Sequence, residues 1–230
     1  MPQDSSTIHL GLIGAGRIGR VHAATIQTAI PDARLVLVAD VNEDAARSAA
    51  DDFHINYAVG DYHQILNSPA IDGVLICSAT NTHAQIIEEA ALAGKHVFCE
   101  KPIDFDLARI DRALAAVNAA DVILQIGFNR RFDPNFARVR EIVASGGVGT
   151  PQLLHIISRD PAPPPIEYVA VSGGMFLDMT IHDFDMARFI MGEEVEEVYA
   201  AGAVLVDERI GAAGDIDTAL VTLKFASGAL

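Results

Sequence analysis

Through the first half of the chain, short apolar runs alternate with segments whose apolar residues recur every three or four positions. The runs predict strands over residues 8–13, 34–40, 73–77, 96–99 and 122–127, and the periodic segments predict helices over 17–29, 43–52, 82–93 and 105–119. In the last of these, Leu107, Ile110, Leu114 and Val117 form a single apolar face. The run Gly73-Val74-Leu75-Ile76-Cys77 is nearly unbroken, as a strand buried on both sides should be. Strand–helix alternation of this kind predicts an α/β fold, with a doubly wound parallel sheet and helices on both faces.

After Gly127 the texture changes, which places a domain boundary near Phe128 and divides the chain into 1–127 and 128–230. A helix is expected over 135–144 and a strand over 153–158, followed by a stiff proline-rich loop at 161–165. A long helical pattern occupies 174–191, and strands are expected over 195–206 and 218–225. The alternation in Leu220-Val221-Thr222-Leu223-Lys224-Phe225 suits an open antiparallel sheet covered on one side. Three strands would leave an apolar sheet edge unpaired, so this second domain is expected to be incomplete and the natural protein to continue beyond Leu230.

Composition narrows the partners. The 16 Lys and Arg against 31 Asp and Glu give a net charge of −15, a field that repels nucleic acid and anionic lipid surfaces. Glu193, Glu194, Glu196 and Glu197 read as a solvated face. No apolar run reaches the ~18 residues that span a bilayer. The opening MPQDSSTIHL lacks the basic end and apolar core of a signal peptide, so a cytoplasmic protein is expected. Cys77 and Cys99 lie in apolar segments without a ligand-spaced Cys or His, and read as buried free thiols rather than a metal site.

Gly14-Ala15-Gly16-Arg17-Ile18-Gly19 matches G-x-G-x-x-G between a predicted strand and a predicted helix, the context the motif requires. Gly14 permits the tight turn, Gly16 the approach of pyrophosphate, and Gly19 close packing of helix on strand. The helix N-terminus offers N–H donors to the phosphates. Asp40 ends the next long strand, 21 residues after Gly19. Its carboxylate suits adenosine ribose hydroxyls and repels a 2′-phosphate, so a Rossmann domain binding NAD rather than NADP is expected.

Hydride transfer from an alcohol needs a base for the hydroxyl proton and a group to steady the forming carbonyl oxygen. Ligands sit beyond the C-terminal ends of the strands in such sheets. Two exits fit: Ser78, Thr80, Asn81 and His83 after one strand, and Glu100-Lys101-Pro102 after the next. His83 either faces the cofactor or does not, while Asn81 or Thr82 can cap the following helix. Lys101 either hydrogen-bonds the substrate oxygen or is an ordinary surface lysine. In the long helical pattern Asp178 and His182 are four residues apart, which places them on one helix face. His182 is then a proton shuttle supported by Asp178, or a core histidine paired with Asp185 or Asp178.

Taken together, GLIGAGRIG, the Asp40 strand end, AGKHVFCEKP, GFNRRFDP and GGMFLDMTIHDFDMARF resemble the Gfo/Idh/MocA oxidoreductases across nearly the whole chain. The resemblance is nearest to the bacterial inositol 2-dehydrogenases. It implies an N-terminal Rossmann domain binding NAD, with Gly14, Gly16, Arg17, Ile18, Gly19, Asp40, Ser78, Thr80, Asn81, His83, Glu100 and Lys101 at the cofactor. It also implies a C-terminal α/β domain with a large open, mostly antiparallel sheet, commonly in tetramers. The implied reaction oxidises myo-inositol to its 2-keto product in inositol catabolism. Lys101, Asp178 and His182 are implied as catalytic residues, and Asn129, Arg130 and Asp160 as further polyol contacts. A related sugar or polyol dehydrogenase, or a silent NAD-binding protein, are the alternatives.

Overall fold

The structure is a computed structural model that describes residues 7–230; the opening MPQDSS, part of the segment read above for a signal peptide, lies outside the described residues. The described residues fall into two compact units, the first ending at Gly127 and the second running from Phe128 to Leu230.

The first unit alternates strand and helix: β1 (Ile8–Ile13), α1 (Arg17–Ala29), β2 (Ala33–Ala39), α2 (Glu43–Phe53), β3 (Tyr57–Val59), α3 (His63–Leu66), β4 (Gly73–Ile76), α4 (Thr80–Leu92), β5 (His96–Cys99), α5 (Leu107–Ala120) and β6 (Leu124–Ile126). Its six strands are all parallel and run in the order β3-β2-β1-β4-β5-β6, the Rossmann order. The order reverses between β1 and β4, and the crevice beyond their C-terminal ends is where such sheets take ligands. Two apolar layers sandwich the sheet. Leu12, Leu35, Val38 and Leu75 pack against Ala23 and Ile26 of α1 and Ala49 and Ala50 of α2. Val74, Ile76, Val97 and Cys99 pack against Ala84, Ile87 and Ala91 of α4 and Ala113 and Val117 of α5. All four residues of β4 are buried, which accounts for its unbroken apolar run.

Local signals set the helix ends. Asn42 caps α2 by accepting from the Asp44 and Ala45 N–H groups, with Glu43 and Asp44 in the first turn suiting the helix dipole. Asp106 caps α5 through the Ala108 N–H. The expected capping by Asn81 or Thr82 is not found: α4 begins at Thr80, so both lie inside its first turn, and Thr82 Oγ1 donates back to the Ala79 carbonyl. β3 and α3 were not expected, because three and four residues are too few to establish a period.

The second unit opens with a 3-10 helix at Asn129–Phe132, then α6 (Pro134–Ala144), α7 (Ile166–Ser172), α8 (Met175–Asp178), α9 (Ile181–Met191), β7 (Val195–Ala203), α10 (Glu208–Ala212) and β8 (Thr218–Phe225). β7 and β8 pair antiparallel in a two-stranded sheet. Ala187, Met191, Phe225 and Ala229 form a small core with Leu154, Ile156, Val195 and Leu223 against it.

Three expectations are corrected here. No strand forms over 153–158: Leu154 donates to the Leu230 carbonyl and Leu230 to that of Gln152, a single pair of bonds rather than a ladder. β7 ends at Ala203 because the N–H groups of Leu205, Val206 and Asp207 are taken by the Asp217 carboxylate at 2.8, 2.9 and 3.0 Å. The helix expected over 174–191 is broken after Asp178. The Thr180 N–H reaches back to Met175, Thr180 Oγ1 donates to the Met175 and Phe176 carbonyls, and His182 N–H bonds to Met179. Asp178 therefore closes α8 and His182 lies in the first turn of α9, so they do not share one helix.

Candidate active site

The β1–α1 turn is built for a dinucleotide. Gly14 has φ +100°, and a Cβ there would stand 2.5 Å from the Cys77 carbonyl carbon and oxygen. A Cβ on Gly19 would lie 2.0 Å from the Gly14 carbonyl oxygen, so only glycine lets α1 sit this close to its own turn. Gly16 differs: its Cβ position meets nothing within 4 Å, which leaves open space at the start of α1. Gly16 is the N-cap, no side chain caps the helix, and its first turn carries no acidic residue. The leading N–H groups of α1, at Arg17, Ile18 and Gly19, are thus suited to the phosphates of a bound dinucleotide. Arg17 is exposed, while the Ile18 side chain packs on the apolar layer beneath α1.

Asp40 stands just beyond β2. Its Oδ2 accepts from the Ala15 N–H at 2.7 Å and its Oδ1 from the Asn42 N–H at 2.9 Å. These bonds orient the carboxylate and tie it to the glycine turn, the position from which a ribose hydroxyl would be held. The residues present therefore fit NAD.

The exits of β4 and β5 lie on the same edge of the sheet. Ser78 Oγ and Thr82 Oγ1 are 2.7 Å apart, and the Asn81 carbonyl accepts from Arg109 of α5. Thr80 is the first residue of α4 and half-buried. His83 lies between these two exits. It is 2 % exposed, with Nδ1 2.8 Å from the Pro102 carbonyl oxygen and Nε2 3.0 Å from that of Ser78. Both ring nitrogens thus lie within hydrogen-bond distance of backbone carbonyls at the two strand exits, and whichever carries the proton ties the ring to one of them. Glu100 turns toward α1, where its Oε1 is 2.7 Å from His22 Nε2, and its Oε2 lies 3.0 Å from the Cβ position of Gly127. Lys101 follows it and is half-buried. Cys77 and Cys99 are buried free thiols. Burial, with the Glu100 charge adding, pushes the Cys77 thiol up to about 12, and burial raises Cys99 as well, which makes neither a nucleophile.

In the second unit, the 3-10 helix is clamped to α9 by two ion pairs. Arg130 meets Asp183 at 2.5 Å, and Arg131 binds Asp185 with both oxygens at 2.6–3.1 Å. Arg131 also lies over the Phe128 and Phe189 rings at 5.9 and 5.3 Å. Asp185 thereby has both of its oxygens on Arg131. The His182 ring meets Phe128 edge-on at 6.5 Å. Asp178 Oδ1 accepts from the Tyr168 hydroxyl at 3.0 Å. Asn129 is exposed at the start of the 3-10 helix, and Asp160 is exposed in the loop before the prolines. Sequence reasoning missed Tyr168, Asp183 and His22. Only the side-by-side acidic and basic residues of NRRF and IHDFD hinted at the clamp. Among the described residues no group of three or more His, Cys, Asp or Glu could hold a metal ion, and no helix is long and apolar enough to cross a membrane.

Comparison with known proteins agrees with this geometry. Residues 8–128 match the family described as "Oxidoreductase family, NAD-binding Rossmann fold", and residues 136–230 match the "GFO/IDH/MocA C-terminal domain". The chain is 55% identical over 223 residues to myo-inositol 2-dehydrogenase from Thermotoga maritima, covering 97% of this chain and 66% of that protein. It is 49% identical over 222 residues to inositol 2-dehydrogenase from Rhizobium meliloti, covering 96% of this chain and 66% of that one. The structure of scyllo-inositol dehydrogenase from Lactobacillus casei, with bound NAD(H) and scyllo-inositol, superposes with a TM-score of 0.90 at 32% identity, covering 96% of this chain and 67% of that one. The chain thus spans just under two thirds of the length of the curated relatives it matches first. With both family models matched in order, and with the Rossmann order and glycine turn in place, the chain belongs to the GFO/IDH/MocA oxidoreductase family.

Proposed function

We propose that this chain carries the NAD-binding unit and a substrate-binding portion of a dehydrogenase that oxidises a ring CH–OH of a cyclic polyol, myo-inositol to its 2-keto form. The observation that carries the reading is the dinucleotide cradle, with open space at Gly16 and Asp40 tied to the turn. The substrate class is supported by the inositol dehydrogenases to which the chain is similar. Bound nicotinamide supplies the hydride acceptor.

In this reading His182 accepts the hydroxyl proton as the C–H electron pair leaves as hydride, and Asp178 supports the imidazole. Lys101 donates to the substrate oxygen and steadies the charge that builds there. Asn129, Arg130 and Asp160 contact the remaining hydroxyls. Arg130 would do so with its guanidinium already oriented by Asp183. The reading extends to a cytoplasmic protein, as expected from the sequence, and to a homotetramer, which rests on the family resemblance.

NADH formation with myo-inositol, scyllo-inositol, D-chiro-inositol and glucose tests the substrate. Preference for myo-inositol supports the reading, and turnover on glucose alone would move the substrate to a sugar. Replacing His182 with Ala should cut turnover by ~10²-fold or more while NADH still binds. Near-wild-type turnover in that variant would take the acid/base role away from His182.

A further inference from the structure

We infer that Tyr168 is a positioning residue for the reaction proposed above, acting through the hydrogen bond its phenol donates to the carboxylate of Asp178. The inference rests on that reading of Asp178. The bond, 3.0 Å to Oδ1, joins α7 to the last residue of α8 across ten positions of sequence.

The surrounding backbone holds the two groups in register. Tyr168 and Val169 both donate to the Pro165 carbonyl, so α7 starts directly on the proline-rich loop. Val169 is buried and anchors the helix, which turns its neighbour Tyr168 outward at 45% exposure. Gly173 and Gly174, with φ +87° and +82°, then reverse the chain between α7 and α8. Asp215 fixes the start of α8, accepting from the Met175 N–H at 3.2 and 3.0 Å, and its Oδ1 lies 2.9 Å from the Cβ position of Gly174. The turn is therefore built to a set geometry, and the Tyr168 hydroxyl reaches Asp178 without a long flexible side chain.

A carboxylate that supports a proton-accepting imidazole must be held in one rotamer, because small misplacements at the reacting groups cost rate. A phenol donating to a carboxylate is a charge-assisted bond and directional enough to select that rotamer. The Tyr168 ring is nearly half exposed. Removing only its hydroxyl leaves the packing intact, which makes Tyr168→Phe a clean probe.

The experiment compares wild type, Tyr168→Phe, Asp178→Asn and the double variant for kcat and KM with myo-inositol, KM for NAD, NADH affinity and thermal midpoint. The expected result is a fall in kcat of about tenfold for Tyr168→Phe, as losing a hydrogen bond to a charged group gives. NADH affinity and the thermal midpoint should be unchanged, and Tyr168→Phe should add no further loss on top of Asp178→Asn. Normal kcat in Tyr168→Phe overturns the inference, and so does a loss that multiplies with that of Asp178→Asn. A fall in thermal midpoint together with NADH affinity would make Tyr168 merely structural and also overturn it. Wild-type protein that fails to bind NADH overturns the proposed function and this inference with it. An active wild type with a normal Tyr168→Phe overturns this inference alone.

Discussion

Asp185 is 5% exposed and has both carboxylate oxygens on Arg131, whose own side chain is 39% exposed and lies over two phenylalanine rings. Removing the guanidinium leaves a buried carboxylate without its partner, the costly way to break an ion pair. Arg131→Met should therefore lower stability by about 2 kcal/mol in denaturant unfolding. That figure is below the range for fully buried pairs because the arginine is partly solvated. An unchanged midpoint would show that Asp185 is satisfied another way. The histidines teach the same lesson about partners. His83, His22 and His182 look alike as letters, yet His83 lies between two backbone carbonyls, His22 meets Glu100, and His182 sits in the first turn of a helix beside Phe128. The glycines were legible because they stand at a fixed spacing between a strand and a helix, whereas the Pro102 and Glu100 partners of His83 and His22 lie 19 and 78 residues away in sequence.

At the scale of elements, periodicity found the long helices and strands and failed where a tertiary bond ends a segment. The pattern over 174–191 is continuous in apolar residues, but Thr180 closes its turn back on Met175 and splits the helix. The Asp217 carboxylate likewise ends β7 by capturing three consecutive N–H groups and the Thr218 hydroxyl. Those donors hold its carboxyl well below the usual carboxylate range. A carboxyl depressed in the folded state contributes stability that is complete above its unfolded value of ~3.9 and is lost as pH falls toward the folded value. Asp217→Asn should therefore lower the thermal midpoint at neutral pH, and the gap from wild type should narrow as pH drops below ~4. A gap that stays constant into acid would show that the charge of Asp217 contributes nothing.

At the scale of the whole molecule, the parallel order β3-β2-β1-β4-β5-β6 brings the glycine turn, Asp40 and the β4 exit to one edge of one sheet. A net charge of −15 does not oppose a dinucleotide there, because local N–H groups hold the pyrophosphate. A ligand that binds only the folded state stabilises it by mass action. NADH at ~100 times its Kd should raise the thermal midpoint by roughly 5 °C or more. NADPH at the same concentration should leave it nearly unchanged, because a 2′-phosphate would meet the Asp40 carboxylate. Equal shifts for the two would remove Asp40 as the discriminator.

By itself, the order of residues determined the alternation of strand and helix, the glycine turn at Gly14, Gly16 and Gly19, and the strand-ending Asp40. Each shows in sequence as a period, as a fixed spacing of glycines or as a residue at a set distance after them. The tertiary structure alone brought His83 to the Pro102 carbonyl, Asp185 to Arg131 and Asp178 to Tyr168. It also decided where the helix before His182 breaks. Those outcomes are set by which groups meet once the chain has folded, and a hydrogen bond or ion pair between distant residues leaves no periodic trace in sequence.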